Sequence, residues 1–364
     1  MDTGGTDAEG KTLLVIGFDG LDYELFKNYV RPPFDLLPLY APVPVTGPSW
    51  TSLYTGDSVA RHNVRDVFGL EFRRRYARND TLHLIRWHLH NLGRILRRKA
   101  THKRFATYAT TPSQYLWETL NIGGVDVKLV NMPITCPVRE IQGVHVGGFP
   151  LIRRGRWYWP DEIATEIPDN YIDLVDITHW FQDPERDSHR VWRRAITAMG
   201  FEANKPRIVE TGNRLVDLFC KLPPARLQMV QFSFIDRLGH VFGVRDEVER
   251  FGYELVNSLV DKLVARVKPD ATMIISDHGF IGDEHTDRGC LATDATLRPM
   301  LQIADGYIPS VLDIAPTIAA YFGLTHPCEG NDLISGGEYT TRHDEQDEQE
   351  KAQITKRLRA LGYM

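Results

Sequence analysis

Leu13-Leu14-Val15-Ile16-Gly17-Phe18 is a short apolar run, partly β-branched, that stops at Asp19-Gly20 and gives way to a helix-like segment from Tyr23 to Tyr29. A buried strand feeding a helix is the signal of an α/β fold. The pattern returns down the chain. Tyr115 to Leu120 reads as helix, Gly123-Gly124 breaks it, and Val125 to Val130 reads as strand. Arg207 to Leu222 has helical spacing and precedes a strand from Leu227 to Phe234. Glu247 to Val267 is a long amphipathic helix leading into Ala271-Thr272-Met273-Ile274-Ile275. Strands this uniformly apolar are covered on both faces, so the expected fold class is α/β with a mostly parallel central sheet and helices between its strands.

The chain has 364 residues, 42% hydrophobic and 25% charged. That is enough for a sizeable core and excludes a fibrous or fully disordered protein. No apolar stretch approaches the ~18 residues of a membrane-spanning helix, so no span is expected. Met1 to Gly10 is polar and lacks the basic start and apolar run of a secretory signal. A net charge of -5 is too mild to argue for nucleic acid. Cys136, Cys220, Cys290 and Cys328 form no CxxC pair. This argues against a disulfide framework or a cysteine-rich zinc site, and the expected location is the cytoplasm.

In parallel sheets ligands bind beyond the carboxyl ends of the strands. Three strands here run into a carboxylate: Asp19 after the first, Asp236 just past Phe234, and Asp277 after Ile275-Ser276. Asp236 is followed four residues later by His240, Asp277 is followed at once by His278, and His285 comes seven residues after that. Carboxylate oxygen with imidazole nitrogen suits Zn, Mn or Fe and not Ca. Three Asp and three His are too many for one tetrahedral ion and about right for two. A lone Asp-His-Gly is usually a turn; the combination, each pair at a strand end, carries the expectation.

A nucleophile is expected in Pro42-Val43-Pro44-Val45-Thr46-Gly47-Pro48-Ser49-Trp50-Thr51-Ser52. Pro48 marks a helix start, where the dipole and open amides favour an anion. Thr46, Ser49, Thr51 and Ser52 all carry a hydroxyl, and Thr46 is preferred because it precedes the helix. Coordination to a metal would activate it. The competing reading makes Thr46 an N-cap only.

These residues resemble the type I phosphodiesterase/nucleotide pyrophosphatase branch of the alkaline phosphatase superfamily. The likeness rests on Gly17-Phe18-Asp19-Gly20, Thr46-x-Pro48 followed by Thr55-Gly56, Asp236-x-x-x-His240 and Ser276-Asp277-His278-Gly279. It also takes in Asn131 to Pro137, Leu312 to Thr317 and the terminal Leu361-Gly362-Tyr363. The resemblance implies a three-layer α/β/α sandwich with two divalent ions, Zn or alternatively Mn, at the sheet edge. One ion would take Asp19, Thr46, Asp277 and His278; the other would take Asp236, His240 and His285, with His326 as the fallback. It implies a phosphoester hydrolase of phosphodiesterase type, acting on a small-molecule or nucleotide-like substrate through a phosphothreonine at Thr46. In the nucleotide pyrophosphatases an asparagine downstream of the nucleophile holds a phosphate oxygen. The matching position here falls near Val67, and Asn63 and Arg65 are the residues nearby that could take that role. The sulfatase branch is disfavoured, because Thr46-Gly47-Pro48-Ser49-Trp50 lacks its Cys/Ser-x-Pro-x-Arg motif.

The expected organisation is one domain over residues 1–337 with cap insertions at 72–105 and 149–194, then a charged helical tail at 338–364. The 72–105 segment holds eleven Arg or Lys, with Trp87 and four histidines. It reads as a solvated cap that draws phosphate esters inward, with nucleic-acid binding the less favoured use. Two other readings stand beside the hydrolase. One is a phosphotransferase or mutase using the same threonine. The other is a non-catalytic metal-stabilised module that grips nucleic acid or anionic lipid. The sequence leaves oligomeric state open.

Overall fold

The opening apolar run forms β1 (Leu13–Phe18), buried along its whole length near the middle of an eight-stranded sheet. The computed structural model describes residues 10–65, 111–150, 156–169, 171, 200–336 and 339. Further strands follow in chain order as β2 (Asp35–Tyr40), β3 (Val127–Met132), β4 (Gly143–Gly147), β5 (Tyr158–Trp159), β6 (Leu227–Phe232), β7 (Ala271–Ser276), β8 (Gly279–Ile281), β9 (Glu284–Thr286) and β10 (Arg288–Thr293). The main sheet runs β2-β10-β7-β1-β6-β3-β4-β5, and β8 with β9 forms a separate hairpin. From β7 through β4 every pairing is parallel. β10 runs antiparallel to β7 and β2, and β5 antiparallel to β4.

The helices are α1 (Tyr23–Phe26), α2 (Thr46–Thr55), α3 (Val59–His62), α4 (Leu116–Ile122), α5 (Phe201–Lys221), α6 (Phe234–Phe242), α7 (Asp246–Val267) and α8 (Ile314–Tyr321). Successive strand residues point to opposite faces, and the two faces of β1 feed two cores. Leu14, Ile16 and Phe18 pack with the apolar stripes of α5 and α7. Leu13 and Val15 pack with Trp50 of α2, Trp117 of α4 and Ile318 of α8. Helices thus cover both faces, which makes the fold the expected three-layer α/β/α sandwich.

Close approach on the second face explains one glycine. A Cβ on Gly17 would stand 2.5 Å from the Trp50 indole. The bare backbone at Gly17 lets α2 settle directly on β1.

Several boundaries differ from the sequence reading. The strand expected from Leu227 to Phe234 ends at Phe232, and Asp236 lies in the first turn of α6 rather than at a strand end. Its N–H bonds the Asp19 carbonyl at 3.0 Å, so the turn after β6 closes onto the turn after β1. The strand expected at Val125 begins at Val127. α5 starts at Phe201, ahead of the periodic stretch at Arg207, and carries Pro206 in its second turn. β2 escaped notice because Pro38 breaks its pattern. It is an edge strand, where proline's missing N–H costs no ladder bond. Within the 149–194 segment, Tyr158–Trp159 belongs to the main sheet as β5, so that stretch is scaffold. The 72–105 insertion, most of 149–194 and the tail from 340 onward lie outside the described residues. No described helix is long and apolar enough to cross a membrane.

Candidate metal centre

The side chains of the centre gather at the carboxyl edge of the sheet. Asp19 follows β1, Asp277 and His278 follow β7, Asp236 and His240 lie one turn apart on α6, and His285 sits on β9 of the hairpin. Thr46 is the first residue of α2; the N-cap is Val45, which makes no side-chain cap bond. The N-cap reading of Thr46 is therefore not the one the structure adopts.

The seven residues converge in two groups. In the first, the Thr46 hydroxyl donates to Asp19 Oδ1 at 3.3 Å. His278 Nε2 lies 3.2 Å from the same Oδ1 and 3.4 Å from Asp277 Oδ2. In the second, Asp236 Oδ1 stands 3.3 Å from His240 Nε2 and 3.2 Å from His285 Nε2, and the two Nε2 atoms are 3.2 Å apart. The triads Asp19, Asp277, His278 and Asp236, His278, His285 each have ligand atoms within 4.8 Å of one another, so His278 links the groups. In a tetrahedral site with bonds of about 2.0–2.1 Å, neighbouring ligand atoms stand about 3.3 Å apart. The observed spacings match that edge.

The polar atoms themselves call for cations. Asp236 Oδ1, both carboxylate oxygens of Asp277 and His278 Nε2 are buried without a hydrogen-bond partner of good geometry. Such groups are costly to bury unless a ligand meets them. The imidazoles are also set to the right tautomer. His278 Nδ1 faces the Gly279 carbonyl at 3.1 Å and His285 Nδ1 the Pro44 carbonyl at 2.9 Å. A proton on each Nδ1 leaves Nε2 with its lone pair toward the cluster, as in metal-bound histidines.

Supporting hydroxyls lock the loops together. The Ser276 hydroxyl accepts from Leu21 N–H at 2.9 Å and donates to the His278 carbonyl at 2.6 Å. The Ser49 hydroxyl donates to the Asp277 carbonyl, which ties α2 to the loop after β7. Thr51 bonds the Gly47 carbonyl within its helix, and Ser52 pairs with His62. The three other hydroxyls of the segment are thus committed elsewhere, and Thr46 is the one that reaches the cluster. It is 9% exposed and the His240 side chain 22%, against 1% or less for Asp19, Asp277 and His278, so the centre opens where Thr46 and His240 stand.

Three sequence candidates lie apart from these contacts. His326 is at the opposite end of α2, its Nε2 against the Thr55 carbonyl at 2.9 Å and its Nδ1 against the Thr119 hydroxyl at 2.7 Å. It caps the helix and cannot be the fallback ligand. Asn63 closes α3 with a left-handed φ of 58°. Its side chain, like that of Arg65, is not among the groups that converge on Asp19, Asp236 and Asp277 in the contacts above. Arg237 went unremarked in the sequence because it reads as an ordinary surface residue of an amphipathic helix; its Nη1 lies 3.3 Å from Asp236 Oδ2.

The electrostatics follow from three carboxylates in one buried place. Burial and the neighbouring Asp19 charge push the Asp277 carboxyl well above its ordinary range. Burial alone would lower His278, but Asp277 and Asp19 raise it to about 10. Burial would raise Asp236, yet His240, His285 and Arg237 hold it well below the usual carboxylate range. Without ions both shifts favour a proton on Asp277 and on His278. Ion uptake must expel them, so affinity should rise with pH as those groups deprotonate and fall as the solution is acidified. Calorimetric titration of the metal in buffers of differing ionisation enthalpy should show net proton release near neutral pH. Affinity independent of pH between about 6 and 8 would contradict this protonation scheme.

Over residues 13–318 the sequence matches the family described as type I phosphodiesterase / nucleotide pyrophosphatase. The chain belongs to that family. It is accordingly a metal-dependent hydrolase of the alkaline phosphatase superfamily. Solved structures similar to this family member include a putative sulfatase from Bacteroides thetaiotaomicron, 12% identical, with 92% of this chain and 76% of that one covered at a TM-score of 0.46. Others are a phosphonate monoester hydrolase from Silicibacter pomeroyi, 11% identical over 91% and 78% of the two chains at 0.46, and murine ectonucleotide pyrophosphatase / phosphodiesterase 5, 14% identical over 74% and 57% at 0.38. No curated protein matches the sequence.

Proposed function

We propose that this family member is a phosphoester hydrolase of phosphodiesterase type, working through a phosphothreonine at Thr46 with two divalent ions, Zn or Mn. The observation that carries the reading is the set of orphaned, tetrahedrally spaced ligand atoms beside the one hydroxyl of its segment that reaches them. Asp19, Asp277, His278 and Thr46 would hold one ion, and Asp236, His240 and His285 the other. Bound there, the ions supply Lewis-acid charge for the attacking and leaving oxygens of an in-line displacement.

The chain's own part is positioning. Asp19 Oδ1 accepts the Thr46 hydroxyl and aims it out of the helix start. The amides of Thr46 and Gly47 precede the first intrahelical bond, from Ser49 N–H to the Val45 carbonyl. They and the dipole of α2 favour an anion placed before the threonine. Thr46 Oγ1 attacks phosphorus and the alcohol leaves; water then cleaves the phosphothreonine from the opposite side, so phosphorus configuration is retained overall. A threonine in place of the sulfatase-type Cys/Ser-x-Pro-x-Arg favours phosphate over sulfate esters. The test is a panel of aryl phosphodiesters, phosphomonoesters and sulfate esters. Diester cleavage should lead, chelator should abolish it and added Zn or Mn should restore it. Leading turnover of the sulfate ester, or cleavage insensitive to chelation, would overturn the reading.

A further inference from the structure

We infer that Asp22 is a positioning residue for the second ion, latching the β8–β9 hairpin through Thr286 so that His285 stands where it can ligate, an inference that rests on the two-ion reading above. The two ion positions are built differently. Asp19, Asp277 and His278 follow β1 and β7 of the main sheet, whereas His285 rides on β9, in a hairpin that forms a sheet of its own. The place of His285 is therefore set by how that hairpin is fastened to the sheet edge.

Asp22 is fully buried in the turn that leaves β1. Its two carboxylate oxygens divide the work. Oδ1 accepts from Glu24 N–H at 2.9 Å and Leu25 N–H at 3.3 Å and so caps α1. Oδ2 accepts the Thr286 hydroxyl at 2.5 Å. The N–H of Asp22 donates to the hydroxyl of Tyr253, a fully buried residue of α7, at 3.1 Å. The carboxylate is thus held from the scaffold side. Gly279, the β8 residue that pairs with Thr286, gives the bond its room. A Cβ there would fall on both Asp22 Oδ2 and Thr286 Oγ1. The latch crosses the bare base of the hairpin, one residue past His278 and one past His285.

Other contacts hold the rest of the hairpin. Val244 and Gly282 exchange N–H···O bonds of 2.7 and 3.2 Å at its tip. Phe280 packs beside His240 and His285. The ion pairs Arg245–Asp283 and Arg288–Glu24 are each more than a third exposed on both sides, and such pairs contribute little. A hydrogen bond to a buried carboxylate is stronger. Losing its donor leaves Oδ2 buried without that partner, which favours a shift of the hairpin base. A shifted His285 gives up the 3.2 Å spacings of its Nε2 to Asp236 Oδ1 and His240 Nε2. Asp19, Asp277 and His278 keep their strands.

The alternative is that Asp22 and Thr286 stabilise the fold without bearing on the metal. Calorimetric titration with Mn alone, and hydrogen exchange of the metal-free protein, separate the two across wild type, T286V, T286S, D22A and D22A/T286V. T286V should leave one Mn-binding event at wild-type affinity and weaken the other roughly ten- to hundredfold, the usual cost when a group that orients a metal ligand is lost. H285A should remove that same event. Amides of residues 279–286 should exchange faster in metal-free T286V, and T286S should restore both readouts. The double variant should weaken the event no further than the worse single variant. Equal weakening of both events, no weakening of either, or additive losses in D22A and T286V would overturn the latch. If D22A fails to fold, T286V against T286S still decides, because both leave the cap of α1 intact. Wild type that takes up fewer than two Mn ions while T286V still loosens the hairpin would sink the two-ion reading and leave the latch standing.

Discussion

Thr46→Ala should lower phosphoester turnover by at least about 10³-fold, with metal content close to wild type. The hydroxyl of Thr46 meets the cluster through its bond to Asp19. Asp19, Asp277 and His278 remain to hold the adjacent ion. Because Thr46 is the first residue of α2 and not its cap, removing the hydroxyl leaves the helix bonds intact. Thr46→Ser keeps an attacking oxygen and should retain measurable activity. Quenching wild type in acid during turnover should trap label on Thr46 and on no other residue. Full activity in Thr46→Ala would move the nucleophile elsewhere.

His278→Ala should empty the ion position bounded by Asp19, Thr46 and Asp277 and reduce turnover by about 10³-fold or more. His278 is the imidazole of that position, is fully buried, and stands close enough to Asp236 and His285 to couple the two groups. Its loss also leaves Asp19 and Asp277 facing one another without an intervening imidazole, which raises the cost of ionising both. His278→Gln, closer in volume, guards against simple misfolding, and near-UV circular dichroism reports whether the core survives. His326→Ala is the contrast. It should keep both ions and most of the activity while losing about 1 kcal/mol of stability, because it breaks hydrogen bonds to the Thr55 carbonyl and Thr119 hydroxyl. Unchanged metal content in His278→Ala, or lost metal in His326→Ala, would reverse the assignment of the two histidines.

What the sequence disclosed follows from which forces are local. β1, β6 and β7 are wholly buried, so their apolar runs stand out, and the carboxylates after them mark the edge where ligands gather. β10 and β2 were not legible. Cys290 and Pro38 pair across antiparallel strands whose register depends on partners far away in the chain. Asp236 and His240 were seen as a spaced pair, yet their spacing reflects a helical turn and not a strand end. His326 looked like a spare ligand because nothing in its neighbours reveals that it caps α2 from across the fold.

The central claim is tested most directly by anomalous diffraction from crystals grown with Zn or Mn. The account predicts two peaks about 3.5–4 Å apart, one bounded by Asp19, Thr46, Asp277 and His278 and the other by Asp236, His240 and His285. Crystals saturated with either metal that show no density at these residues, or a single ion elsewhere, would contradict it.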